Sequence, residues 1–244
     1  MDGVAMLAGV LLGLVLGPAV NLLIDRLPRD RSLVAPPNCS SCAAARPNRS
    51  LLPLAGWLLA RGRCERCGTA LPRRVLLVEV ALPLAGAALG LHDGTTARSL
   101  VQLLLVAYFV ATVAIDLEHR LVLNRMTGIG LLAALGIAAV GLGPSLPAAL
   151  IGATVGFLLL WLPALLLPGL GMGDVKLAAV IGALVGFPAV VTALELGVLA
   201  GGVAAGLLLA TRRVGRRGTL AYAPYLVLGV VPVLFGLIGH GAPW

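Results

Sequence analysis

Four cysteines and ten carboxylates are the residues of this 244-residue chain with types and spacing suited to chemistry. The cysteines form two C-x2-C pairs, Cys39 with Cys42 and Cys64 with Cys67. Each pair sets two sulfurs on one tight turn, and two such turns can close a tetrahedral Zn2+ site. Four thiolates leave no position for water, so the expected zinc is structural rather than catalytic. Disulfides would need an oxidising compartment, and the charge distribution below places the loop in the cytosol. A redox pair would need one C-x-x-C in a thioredoxin-like setting, which is absent.

Two aspartates stand out among the carboxylates. Asp116 lies in Ala114-Ile115-Asp116-Leu117-Glu118-His119, and Asp174 in Gly171-Met172-Gly173-Asp174-Val175-Lys176. Each sits at the end of an apolar segment, at one expected membrane depth and on one side. Two carboxylates that meet in a partly dry site cannot easily both ionise; one stays protonated as acid while the other activates water as base. That is aspartic-protease chemistry. Taken singly, each aspartate also reads as a solvated loop carboxylate, beside Arg120 or Lys176. Gly171 and Gly173 would let another backbone, such as an extended peptide, approach Asp174. Glu79 lies about one turn into an apolar segment, where an ionisable residue either has a task or pairs with an arginine such as Arg73 or Arg74. Glu118 and His119 read as interfacial loop residues.

The elements that must position these residues are membrane helices. Apolar residues make up 59% of the chain and charged residues 11%, against roughly 45–50% and 25% in a soluble domain. A water-soluble domain of this size could not hide so much apolar surface. Eight segments approach the span length of about 17–25 residues: Val4–Ile24, Val75–Leu91, Ser99–Ile115, Met126–Leu142, Leu146–Leu167, Leu177–Leu194, Leu196–Thr211 and Leu220–Ile238. They are continuous Leu/Val/Ala runs, not the alternation of a barrel strand. The fold class is therefore all-α and polytopic, with about eight transmembrane helices and a small zinc-binding cytoplasmic loop domain. The expected organisation is a first helix over 1–24, the loop domain over 25–74 and a helical peptidase domain over 75–244.

Orientation follows from the arginines. Residues 25–74, 116–125, 168–176 and 212–219 carry 17 of the 18 basic residues, and only Arg98 falls on the other side. Basic loops face the cytoplasm, which puts both termini outside and both aspartates inside. The same pattern accounts for the net charge of +8 without nucleic acid, for which no binding motif is present. The first segment reads as a retained anchor. Its Gly9, Gly13 and Gly17 share one helix face, and tight internal packing is the simplest use for them.

With these residues assembled, the chain resembles the prepilin peptidases, membrane aspartic peptidases with a GxGD motif. The resemblance runs nearly end to end. It begins at Gly17-Pro18-Ala19-Val20-Asn21-Leu22-Leu23-Ile24-Asp25-Arg26-Leu27-Pro28 and continues through both cysteine pairs, Arg61–Gly68 and Glu79. It then takes in Asp116-Leu117, Gly171–Lys176 and Ala223-Pro224-Tyr225-Leu226. It implies cleavage of the leader from type IV prepilins or pseudopilins, with Asp116 and Asp174 as the catalytic pair and the four cysteines as zinc ligands. It also implies N-methylation of the new terminus with S-adenosylmethionine, for which Glu79 is the candidate residue. The implied location is the bacterial inner membrane, with the active site facing the cytoplasm. The chain departs from the family at Val122-Leu123-Asn124, where Leu replaces a usual Pro. Pro18 stands for a common Ser, and Asp25 for a common aromatic. The competing readings are a peptidase without methyl transfer, a presenilin-like protease, and a non-enzymatic transporter or assembly scaffold with a zinc-ribbon loop.

Overall fold

The computed structural model describes residues 2–34, 38–39, 41–45, 52–166, 171–211 and 221–238. The basic cluster expected over 212–219 and Arg46 and Arg49 lie outside the described residues. The described chain is helical: α1 (Asp2–Arg26), the short α2 (Ala55–Leu59), α3 (Arg73–Asp93), α4 (Ala97–His119), α5 (Asn124–Ala139), α6 (Leu146–Leu166), α7 (Met172–Val185), α8 (Ala189–Ala210) and α9 (Ala223–Leu234). Every expected apolar segment forms helix. By length and composition α1, α3, α4, α6 and α8 could each cross a membrane, while α5 and α9 are shorter apolar helices.

One boundary differs from expectation. The break anticipated at Glu195 falls instead at Gly186-Phe187-Pro188, so α7 stops at Val185 and Glu195 lies inside α8. Gly186 takes φ 73, a left-handed turn that suits glycine, and Pro188 precedes the first residue of α8. One charged residue does not stop a helix that lacks such a turn. α4 likewise runs through Glu118 and His119, which form its last turn rather than loop.

The chain divides into two compact units, Met1–Ala114 and Ile115–Trp244, with the boundary inside α4. In the first unit α1 packs along α3. A Cβ on Gly9 would lie 2.0 Å from the carbonyl oxygen of Gly86, and one on Gly86 would lie 2.1 Å from that of Gly9. The small-residue face of α1 is thus spent on α3, inside the chain. In the second unit α7 is the central helix, with Val175 and Leu177 through Val185 all buried. Gly152 of α6 meets Gly182 of α7 as closely as Gly9 meets Gly86. Such backbone-to-backbone seams suit helices in lipid, where packing rather than water exclusion drives association.

Candidate active site and metal centre

The cysteine loop belongs to the first unit. Each C-x2-C pair is a tight knuckle, and the two repeat the same hydrogen bonds. Cys39 N–H donates to Ala44 O at 2.9 Å and Ala43 N–H to Cys39 O at 3.0 Å; Cys64 N–H donates to Thr69 O and Gly68 N–H to Cys64 O, both at 2.8 Å. Isolated bridges Asn38–Ala45 and Arg63–Ala70 close the knuckles. In both, the residue after the second cysteine is left-handed, Ala43 at φ 56 and Gly68 at φ 72.

The knuckles face each other through sulfur. Cys39 Sγ lies 3.7 Å from Cys67 Sγ, and Cys42 Sγ lies 4.0 Å from Cys64 Sγ. All four sulfurs fall within 4.8 Å of one another, and all are free thiols. Sulfurs on a tetrahedron with 2.3 Å bonds to zinc would be roughly 3.8 Å apart, so the cluster can hold a metal ion.

Its electrostatics agree. The Thr69 hydroxyl, 3.2 Å from Cys67 Sγ, leads in holding that thiol down at about 6. Backbone N–H groups of Cys42 and Ser41 lower Cys39. Cys42, although the Ala44 N–H pulls it down, is pushed up to about 11 by burial and by the other three sulfurs. A dication among the sulfurs would relieve the hindrance that the neighbours place on Cys42.

Glu79 is also in the first unit. It is 6% exposed on α3, and its Oε2 accepts from Leu54 N–H at 2.7 Å. Gly17 on α1 makes room for it, since a Cβ there would lie 3.1 Å from Glu79 Cγ. One turn earlier, Arg74 donates to Asn21 Oδ1 at 3.2 Å and pairs with Asp25. Asn21 Nδ2 donates to Val75 O at 3.1 Å. Asn21 and Asp25 of the opening motif therefore fasten α1 to the start of α3.

The aspartates belong to the second unit. Asp116, 4% exposed, ends α4 with its carboxylate against the start of α9, where Oδ2 accepts from Ala223 N–H at 3.0 Å. A helix N-terminus offers unpaired N–H groups and a favourable dipole to an anion. Asp174 occupies the first turn of α7, ahead of the apolar run that begins at Leu177. Burial first, and then the charge of Asp116, push its carboxyl up to about 6. The structure thus brings together two carboxylates 58 positions apart in sequence.

Three features of this site were not evident from the sequence. The Ala223 amide is one, because a backbone donor leaves no mark in residue type. Tyr222 is another, close enough to Asp174 for that charge, after burial, to raise the phenol. The third concerns Gly173. A second backbone does approach it, but from the chain's own loop: a Cβ on Gly173 would lie 2.8 Å from Val122 Cβ and 3.2 Å from Val122 O. Three residues on, Lys176 Nζ donates to Asn124 Oδ1 at 2.7 Å. The segment after Asp116 is thereby laid across the turn that carries Asp174.

Comparison with known proteins follows the same division. The bacterial peptidase A24 N-terminal domain matches residues 11–92, which include the cysteine knuckles and Glu79. The type IV leader peptidase family matches residues 103–208, which include both aspartates. A prepilin leader peptidase/N-methyltransferase of Myxococcus xanthus (strain DK1622) is 34% identical over 148 residues, covering 60% of this chain and 44% of that protein. One of Stutzerimonas stutzeri is 30% identical over 179 residues, covering 64% of this chain and 62% of that protein. The chain thus spans from under half to about three fifths of the length of these relatives. No solved structure matches it. Its apolar helices and these matches make it a multi-pass membrane protein. With both matched parts in sequence order, and together more than half of its length, the chain belongs to the type IV leader peptidase family.

Proposed function

We propose that the protein cleaves the leader peptide of type IV prepilins or pseudopilins at the cytoplasmic face of the inner membrane, by a two-aspartate mechanism. The observation that carries this reading is the convergence of Asp116 and Asp174 within the stretch matched to the leader peptidase family. In this reading one carboxylate takes a proton from water as it attacks the scissile carbonyl, and the other gives a proton to the leaving amine. Asp174, held up toward neutrality, suits the acid. Asp116, bonded to the Ala223 amide, suits the base.

The four cysteines are proposed to hold one structural Zn2+, supported by sulfur spacing and by the repeated knuckle geometry. Zinc would fix the two knuckles together, as a loop of about 50 residues has too little core to fold unaided. N-methylation of the new terminus with S-adenosylmethionine is proposed from the relatives' printed names and the N-terminal match. Glu79 is the residue assigned to that half, where it holds the Leu54 amide.

Co-expression with a candidate prepilin tests the peptidase. The expected result is a shift of the pilin to mature size, lost with Asp116→Asn or Asp174→Asn. An unshifted pilin with wild-type enzyme at normal expression, across several prepilins, would overturn the proposal. Mass spectrometry of the mature product tests methylation, and Glu79→Gln is expected to cleave but methylate poorly.

A further inference from the structure

We infer that residues 52–60, between the two cysteine knuckles, lie in the membrane surface as a lipid-contacting segment rather than in a water-surrounded loop. The inference rests on the reading of α1 and α3 as membrane spans.

Depth is the first observation. Leu54 N–H is bonded to Glu79 Oε2, and Glu79 lies six residues past Arg73, the first residue of α3. At 1.5 Å of rise per residue, Glu79 is about 9 Å beyond the basic start of that helix. A loop whose amide is held by a buried carboxylate at that level cannot stand away from the bilayer. The backbone is shaped for this grip. Leu54 sits at φ 58, a conformation that a bulky L-residue keeps only where its surroundings fix it.

The outward face is the second observation. Leu52 is 51%, Leu58 60% and Leu59 65% exposed, three large apolar side chains within eight positions of a loop. Behind them Arg61 and Arg63 are exposed. Apolar side chains at the acyl boundary with arginines beside them fit an anionic leaflet, and water does not reward exposing such a group. The bilayer is the one partner that both the depth and the charge order fit.

The test uses the full-length protein in nanodiscs of phosphatidylcholine and phosphatidylglycerol, some made with brominated acyl chains. Trp57, Trp161 and Trp244 are the native tryptophans and are changed to Phe. Single reporters are then placed by Leu58→Trp, Leu12→Trp in α1 and Glu65→Trp in the second knuckle. Loss of fluorescence with brominated lipid is expected at position 58 to match that at position 12, with little at position 65. Quenching at 12 but no more at 58 than at 65 would overturn the inference; no quenching at 12 would instead overturn the spanning reading. Adding Glu79→Ala to the Leu58→Trp reporter is expected to reduce its quenching. Hydroxyl-radical footprinting of unmodified protein in nanodiscs avoids the substitutions. Leu58 and Leu59 should label weakly, and strong labelling of both would refute lipid contact.

Discussion

The carboxylate of Asp116 keeps its place through the backbone amide of Ala223, and this shows what residue type can and cannot reveal. Both aspartates were legible in the sequence, because carboxylates are scarce in an apolar chain and each sat at the end of an apolar run. Their partners were not legible. An amide donor has no side-chain signature, and Tyr222 is one aromatic among several until the fold sets it by Asp174. The pair's chemistry leads to a pH dependence. Asp174 has its pKa raised to about 6 by burial and by Asp116, so its proton is present below that pH and lost above it. If Asp174 is the acid, kcat/KM for a prepilin peptide should fall as pH rises through about 6, since kcat/KM reports groups of the free enzyme. A profile flat from pH 5 to 8 would rule out that assignment. Asp116→Asn and Asp174→Asn should each cost roughly a hundred- to ten-thousand-fold in rate, the usual range for a lost acid or base. Glu118→Gln, whose side chain lies beside His119 at the end of α4, should leave most activity.

At the scale of elements, the apolar runs announced every long helix, but turns were harder to read because the composition hardly changes through them. The break between α7 and α8 shows this: Gly186 and Pro188 make the turn, while the more conspicuous Glu195 rides within α8. The loop after Asp116 is a second case. Leu123 stands where the resembled family has proline, yet it keeps φ −73 as the cap of α5, inside the range proline fixes. Leu123→Pro should therefore be accepted and raise stability by about 0.4–1 kcal/mol through the unfolded chain, read as a higher Tm in detergent with cleavage retained. A lower Tm would mean that the Leu123 amide is needed. The knuckles give a matching prediction. Gly68 and Ala43 occupy equivalent left-handed positions, and alanine is the strained one. Ala43→Gly should strengthen metal retention by up to about 1 kcal/mol, measured by chelator competition, while Cys64→Ser should lose the metal and expose the loop to protease.

For the molecule as a whole, the gathering of 17 of the 18 basic residues into four of the expected loops was legible at once, whereas helix lengths were not. α7 has 14 residues, about 21 Å of rise against a hydrocarbon core of roughly 30 Å. Such a helix is tolerable at membrane depth because its neighbours in the second unit cover it. Ten of its residues are buried, and backbone ends are costly in lipid only where lipid reaches them. A short, wrapped α7 would leave Asp174, at its first turn, among the neighbours in the second unit rather than out in bulk water. The sequence leads to an expected topology of eight crossings, while among the described residues five helices meet the length and composition of a span. Reporter fusions after Asp30, Arg120 and Lys176 should read cytoplasmic, and fusions after Gly94 and Gly143 should read external. The Gly143 fusion is the discriminating one, because it lies between α5 and α6. A cytoplasmic signal there would mean that α5 does not cross, leaving fewer than eight spans. An external signal after either Arg120 or Lys176 would place the aspartates on opposite sides and end the two-aspartate mechanism, however close their motifs are to those of the family.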